Sequence, residues 1–469
     1  MTDTITPTAD PGHNAAIPAE AVQEWDNDHF LHPWETIGTS DANRAIAARA
    51  EGIYMYDPDG KKFIDGPGGM WCVQIGYGRR EMADAIAEQT MRLPYTSPWA
   101  FAAEPSALLA KRIAEMTPGD LNSVFFTTGG SSAVDSAIRF VQFYNNMKGR
   151  PDKKLIIGRE KGYHGSTYLA ASVTGKERTK SRLDFEERLV RLIGNVNPYV
   201  RPEGMSVEQW CDAKVDELEQ AILDAGPENV AAFIAEPVLA SGGVIVPPPG
   251  YHKRTLEVCR KHDVLYISDE VVTGFGRLGH WFASEEVFGI TPDIITCAKG
   301  LTSGYLPLGA MMLSDRLWND IASDDREHIM FSNGYTYSGH PVCCAAALKN
   351  IEIFEREGIL EHVREITPHF QDRLNALGRH EIIGDTRGVG LIGCVEGVAA
   401  PDMSESKRLA IDLEFGERVD AKCEEMGLIV RPLINQCVFS PPLIITTDEV
   451  DRMFDILETA VQQVQSEML

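Results

Sequence analysis

From about residue 80 onward, short apolar runs alternate with amphipathic stretches, and this alternation limits the fold more than any other feature of the chain. The runs at 124–127 (VFFT), 155–157 (LII), 230–235 (VAAFIA), 264–267 (VLYI) and 294–298 (IITCA) have strand length. They are apolar on both faces, as buried parallel strands are. Residues 82–91, 133–145, 213–224 and 250–262 between them carry helical periodicity. Strands alternating with helices of this length predict an α/β fold: a mostly parallel sheet flanked by helices. Beyond Tyr337 a helix over 342–357 opens a mixture of helices and short strands. That mixture predicts a second, smaller α+β domain. Near the start, GIYMYDPDGKKFID (52–65) predicts a hairpin around Asp57-Pro58-Asp59-Gly60, and the hairpin is expected to join the small domain. The expected division is residues 1–75 as arm and hairpin, 76–341 as the large domain and 342–469 as the C-terminal part of the small one. Residues 1–20, rich in Thr, Pro, Ala and Asp, predict a loosely held arm.

Open α/β sheets bind ligands just beyond the C-terminal ends of their strands, so the residues delivered there matter most. The run at 124–127 ends in Thr127-Thr128-Gly129-Gly130-Ser131-Ser132 and leads into a helix. Small residues at a helix start leave free N–H groups and a favourable dipole, which suit a phosphate. The next strand delivers Gly162-Tyr163-His164-Gly165, with an aromatic ring able to stack on a flat group. Glu236-Pro237 follows the third, and Ser268-Asp269-Glu270-Val271 the fourth. Asp269 and Glu270 point to opposite faces if the strand continues, so only one can face a ligand there. Such a carboxylate needs a cationic partner, either a protonated pyridine nitrogen or one of Arg260 and Arg277. The fifth strand closes on Lys299-Gly300. A lysine ending a buried strand either snorkels to water or is desolvated into a nucleophilic amine. A phosphate seat, an aromatic face, a buried carboxylate and a buried lysine are together what pyridoxal phosphate requires.

Charge and cysteine usage narrow the class. A net charge of −25 over 469 residues argues against nucleic acid and anionic membrane as partners. No lysine or arginine precedes Arg44 and no apolar segment follows Met1, so no signal or transit peptide is expected. No apolar run is long enough to span a bilayer. The nine cysteines are scattered and form no CxxC pair, which fits reduced thiols in the cytoplasm. Only His29 and His32 are closely spaced among the histidines, so no structural metal is expected.

Three runs carry a family resemblance: SDEVVTGFGRLG (268–279), PDIITCAKGLTSGYLPLGA (292–310) and YTYSGHPVCCAAAL (335–348). With them the chain resembles the class III (ω-type, subgroup II) pyridoxal-phosphate-dependent aminotransferases of fold type I, from about His32 to the C-terminus. The resemblance implies that Lys299 binds the cofactor aldehyde as an imine and shuttles a proton between substrate and cofactor. It assigns the pyridine nitrogen to Asp269, the two ring faces to Val271 and Tyr163, and the phosphate to Gly130 and Ser131. Thr336 of the partner subunit is implied to add a hydroxyl, in a homodimer or a dimer of dimers. Trp71 and Tyr163 resemble pocket-lining aromatics, and Arg431 resembles a mobile arginine that clamps a substrate carboxylate; Arg387 looks structural. The implied reaction is a ping-pong transfer of an amino group from a primary amine or ω-amino acid to a keto acid, pyruvate being the favoured acceptor. At the phosphate turn Ser132 stands where the family commonly has Glu.

Two other reaction classes are open to an α/β chain of this kind. An aminomutase, racemase or decarboxylase on the same scaffold retains the same lysine and aspartate. A nicotinamide-dependent dehydrogenase requires GxGxxG after the first strand, and TTGGSSA lacks that spacing.

Overall fold

The computed structural model describes residues 17–34, 44–176, 180–322, 330–398 and 405–469. The expected arm falls outside these residues as far as residue 16. From Ala19 to His29 the chain is helical, since AEAVQEW is rich in helix formers and follows Pro18, with no glycine or proline to break it.

Three short strands come first: β1 (Arg49–Glu51), β2 (Tyr54–Tyr56) and β3 (Lys62–Asp65). The expected hairpin is β2–β3, paired antiparallel, with the Gly60 N–H donating to the Asp57 carbonyl across the turn.

Seven strands form the large sheet among the described residues: β4 (Leu121–Thr127), β5 (Leu155–Arg159), β6 (Val190–Ile193), β7 (Val230–Ala235), β8 (Leu265–Asp269), β9 (Ile294–Cys297) and β10 (Gly309–Ser314). Their spatial order is β4-β10-β9-β8-β7-β5-β6. Every neighbouring pair from β9 through β6 is parallel, whereas β10 runs antiparallel to both β4 and β9. β10 was not expected as a strand, because GAMMLS starts with glycine and has no β-branched residue. It forms because both its edges find partners, Ala310 lying opposite Phe126 on one side and Cys297 on the other. β8 runs two residues past the expected strand, so Asp269 is its last residue and stays in register with Thr296 of β9.

The period-2 alternation of side chains divides the core. Ala232, Ile234, Ile267, Ile294, Met311 and Leu313 pack on one face, under the helix Gly130–Met147. Phe233 and Tyr266 face the other way, toward the helices Val207–Ala225 and Tyr251–Lys261. The first of these helices begins with a reciprocal capping box between Ser206 and Gln209.

The C-terminal part carries β11 (Ile383–Val389), β12 (Ile392–Gly397), β13 (Leu428–Ile429), β14 (Arg431–Leu433) and β15 (Gln436–Phe439). β11, β12, β15 and β14 make an antiparallel sheet, while β13 joins β3 in parallel. One apolar core therefore holds Ile53, Ile64 and Ile75 together with Phe370, Phe454 and Val464. This is a separate, smaller sheet domain built from both ends of the chain.

Candidate active site

Five parallel-running strands deliver their C-terminal ends to one cavity of about 470 Å³. β4 supplies Thr128, Gly129, Gly130 and Ser131; β5 leads to Tyr163, His164 and Gly165; β7 to Glu236; β8 ends in Asp269 and is followed by Val271; β9 leads to Lys299. Trp34, Trp71, Thr302 and residues 304–308 add to the wall.

At one end of the cavity, Gly129–Ser131 open the 18-residue helix Gly130–Met147, whose first N–H groups have no acceptor inside the helix. Glycine is required at Gly130, where a Cβ would sit 2.9 Å from Val271 Cγ1. It is required again at Gly165, where φ is +139° and a Cβ would meet Ser131 Oγ at 2.6 Å. Ser132 ties the turn from behind, donating to the Gly129 carbonyl at 2.9 Å and accepting from Thr128 N–H at 3.2 Å. A short hydroxyl thus holds the turn at the position where a Glu is common.

Deeper in, Asp269 is buried and its two oxygens are oriented separately. Oδ2 takes the His164 Nδ1 contact at 2.7 Å; Oδ1 accepts from Thr296 Oγ1 at 3.1 Å and Val271 N–H at 3.2 Å. Glu270 points away from the cavity. It accepts from the N–H groups of Ala283 and Ser284 at 2.7 and 2.8 Å and from Thr273 Oγ1 at 2.9 Å. The alternative of an acidic pair bound to Arg260 or Arg277 is not what forms. Arg260 pairs with Asp293, and the fully buried Arg277 donates to the carbonyls of Leu391 and Pro441 and to Gln74 Oε1.

Lys299 is half-buried and takes left-handed backbone, φ +44°. Among the described residues no hydrogen bond or ion pair holds its amine, which lies 5.7 Å from the Trp71 ring centroid. Burial pulls its pKa below the ordinary lysine range, against the opposing pull of Asp269, Cys72 and Glu236. Glu236 is buried, accepts the Tyr163 N–H at 2.9 Å, and has its pKa raised by burial, against the attraction of His164. The Tyr163 hydroxyl lies 2.9 Å from Ser166 Oγ.

Arg431, the first residue of β14, sits behind Trp71 with its guanidinium carbon 5.3 Å from the ring centroid. Its Nε is buried without a hydrogen-bond partner among the described residues, as is Trp71 Nε1. Burial lowers its pKa, which marks a desolvated cation. Arg387 is held by Asp385 and Glu396 on the same small sheet, consistent with a structural role. Thr336 is not brought to this cavity. It is exposed and lines a second one of about 800 Å³ with Tyr95, Trp99 and Phe101.

Trp34, His164 and Glu236 were not among the expected site residues. His164 and Glu236 stand at strand ends, in GYHG and AEPV, so inspection of those ends carries a signal for both. Trp34 carries none: only the fold brings it to the cavity, with φ +60°.

A family model described as Aminotransferase class-III matches residues 38–461. The chain is a class III aminotransferase. This aminotransferase is 38% identical over 464 residues to putrescine–pyruvate aminotransferase of Pseudomonas aeruginosa, covering 97% of this chain and all of that one. It is 39% identical over 437 residues to the mitochondrial gamma-aminobutyrate transaminase 1 of rice (Oryza sativa subsp. indica), covering 92% of this chain and 83% of that one. Its backbone matches an omega transaminase of Pseudomonas jessenii solved in complex with PMP, with TM-score 0.90, 34% identity and coverage of 95% and 99%. A transaminase obtained by ancestral reconstruction matches with TM-score 0.91 and 39% identity, covering 96% of this chain and all of that one. The aminotransferase uses pyridoxal 5′-phosphate to transfer an amino group to a keto acid.

The cavity of the aminotransferase fits that cofactor. Among the described residues beyond its chain neighbours, none comes within 4 Å of where a Cβ on Gly129 would stand, leaving room beside the helix start. The donor set supplies N–H groups and a hydroxyl for an anion, a buried carboxylate for a ring nitrogen and an unpaired amine for an aldehyde. Among the described residues no group of three or more His, Cys, Asp or Glu could hold a metal ion.

Proposed function

We propose that Lys299 and Asp269 carry a ping-pong transfer from a primary amine or ω-amino acid to pyruvate. The observation that carries this reading is their pairing: an amine without a partner among the described residues and an oriented carboxylate, at the ends of adjacent strands β9 and β8, face one cavity. Bound there, pyridoxal phosphate supplies the aldehyde for the amine and the electron sink for deprotonation at the substrate carbon. Lys299, whose pKa burial lowers, would hold the cofactor through its aldehyde and, once released, would move the proton at the substrate Cα. Asp269, aimed by His164 and Thr296, would hold the cofactor's ring nitrogen. Gly130 and Ser131 would seat its phosphate, and Val271 and Tyr163 would flank its ring. Glu236, whose pKa burial raises, lies beside the same cavity and accepts the Tyr163 N–H.

Trp71 and Tyr163 form the substrate wall, and Arg431 receives a carboxylate. A desolvated guanidinium with an unbonded Nε is suited to two-pronged carboxylate binding. Pyruvate as acceptor is supported by the relative named for it. The exposed group of Trp99, Phe101 and Tyr95 beside Thr336 supports a homodimer, or a dimer of dimers, in which Thr336 of the partner subunit completes the phosphate seat. Nine free cysteines support a reducing compartment, the cytoplasm. The division near residues 76 and 342 belongs to the same reading.

The test is the visible spectrum of the purified enzyme. The expected cofactor band bleaches with a primary amine and returns with pyruvate. A band that persists while the amine is consumed excludes the two half-reactions.

A further inference from the structure

Lys299 is not the only strained residue in its turn. Ser303, four residues on, also has left-handed backbone, φ +50°, and neither residue is glycine. Two such residues in one short turn persist only where surrounding groups over-determine the conformation. Those groups come from two distant segments. Asn350, fully buried in the helix Pro341–Glu357, directs its whole amide at the turn. Its Nδ2 donates to the carbonyls of Gly300 and Leu301 at 2.9 and 3.1 Å, and its Oδ1 accepts from Ser303 Oγ at 2.7 Å. Ser303 Oγ also accepts from the Ile75 N–H at 3.4 Å. On the other side Gln74 presses against Gly300: a Cβ there would stand 2.6 Å from its Nε2. Gln74 is itself gripped by Arg277 at 3.2 Å and by the Leu443 N–H on its carbonyl at 2.7 Å.

Ala346, Ala347, Ile351 and Phe354 beside Asn350 on the helix are buried and apolar. A leucine at 350 would avoid desolvating an amide, so packing alone does not account for the residue. Asn350 does not line the cavity. We propose that Asn350 is a positioning residue: by clasping residues 300–303 it holds the Lys299 backbone left-handed and its amine aimed into the cavity. The proposal rests on Lys299 being the cofactor-binding lysine. Without the clasp the turn relaxes toward ordinary backbone, and the amine loses its aim while the walls at the ends of β4, β5, β7 and β8 stay in place.

The experiment uses the holoenzyme, wild type against Asn350→Ala, with a primary amine and pyruvate. The expected result is a kcat lower by about 10–100-fold with both KM values within about threefold. The pH midpoint of the cofactor's visible band is expected to move by at least about half a unit. An unchanged midpoint and an unchanged kcat, with only thermal stability lowered, overturn the proposal and leave Asn350 a structural residue. Should Asn350→Ala not fold, Ser303→Ala, which removes one of the three bonds, is read by the same criteria with a severalfold smaller effect. Borohydride trapping and peptide mapping of the wild type keep the two ideas separate. Cofactor trapped on another lysine refutes the role of Lys299, whatever Asn350 does.

Discussion

Asp269 and Glu270 are adjacent carboxylates with opposite fates. Strand geometry turns the first into the cavity, while the second is consumed by four donor contacts from Thr273, Ala283 and Ser284. Asp269→Asn is therefore expected to lower kcat by about 10²–10⁴-fold, whereas the cofactor remains bound through its phosphate; steady-state kinetics beside the visible spectrum separate the two effects. Lys299→Ala is expected to remove the visible band of the lysine-bound cofactor and the turnover together. The lowered pKa of Lys299 has a direction that kinetics can read: its proton leaves at lower pH than that of an ordinary lysine, so the basic form is populated earlier as pH rises. Arg431→Leu is expected to raise KM for pyruvate by about 10–100-fold, the equivalent of a charge-assisted hydrogen bond or two. KM for an amine without a carboxylate should stay near its wild-type value. Equal losses for both substrates would exclude the carboxylate role.

At the scale of elements, the helix Glu405–Glu425 carries a testable strain. Phe415, Val419 and Cys423 bury one face of it in the small-domain core. Asp420 follows that face inward, and burial, then Glu424 one turn on, lifts its pKa to about 6. The folded state therefore holds this proton more tightly than the unfolded chain does. Stability is undiminished below the ordinary Asp range and falls as pH climbs from about 4 to 6. Asp420→Asn is expected to stabilise the protein at pH 7 by on the order of 2 kcal/mol and to change nothing at pH 4, as measured by denaturant unfolding at the two values. The same logic explains where local patterns mislead. β10 has weak strand propensity and forms because β4 and β9 each offer it an open edge.

At the scale of the molecule, two features extend beyond one cavity. The N-terminal hairpin and the C-terminal segments share one core through the β3–β13 pairing, so the small domain closes only when both ends of the chain have been placed. The proposed dimer rests on the exposed aromatic surface of Tyr95, Trp99 and Phe101, Trp99 being 82% exposed. Trp99→Glu is expected to weaken self-association in sedimentation and, through loss of the partner's Thr336, to raise the concentration of pyridoxal phosphate needed for saturation. A variant that becomes monomeric yet retains the cofactor unchanged would separate the interface from the phosphate seat.

The α/β alternation and the strand ends that carry Ser131, Tyr163, Asp269 and Lys299 to one cavity were legible in the sequence because each rests on local pattern: period, run length and the residue type that closes a run. Local pattern left Asp269 and Glu270 equivalent; the family resemblance chose Asp269 and named Val271. Tertiary structure alone decided the rest. Trp34 reaches the cavity from a segment with no motif, and Arg431 comes to Trp71 only because β14 folds back from the small domain. Asn350 meets Ser303 across 47 residues of chain. Nothing in the sequence around Asn350 distinguishes it from any other helical asparagine; the three bonds it makes exist only once its helix lies against the turn that carries Lys299.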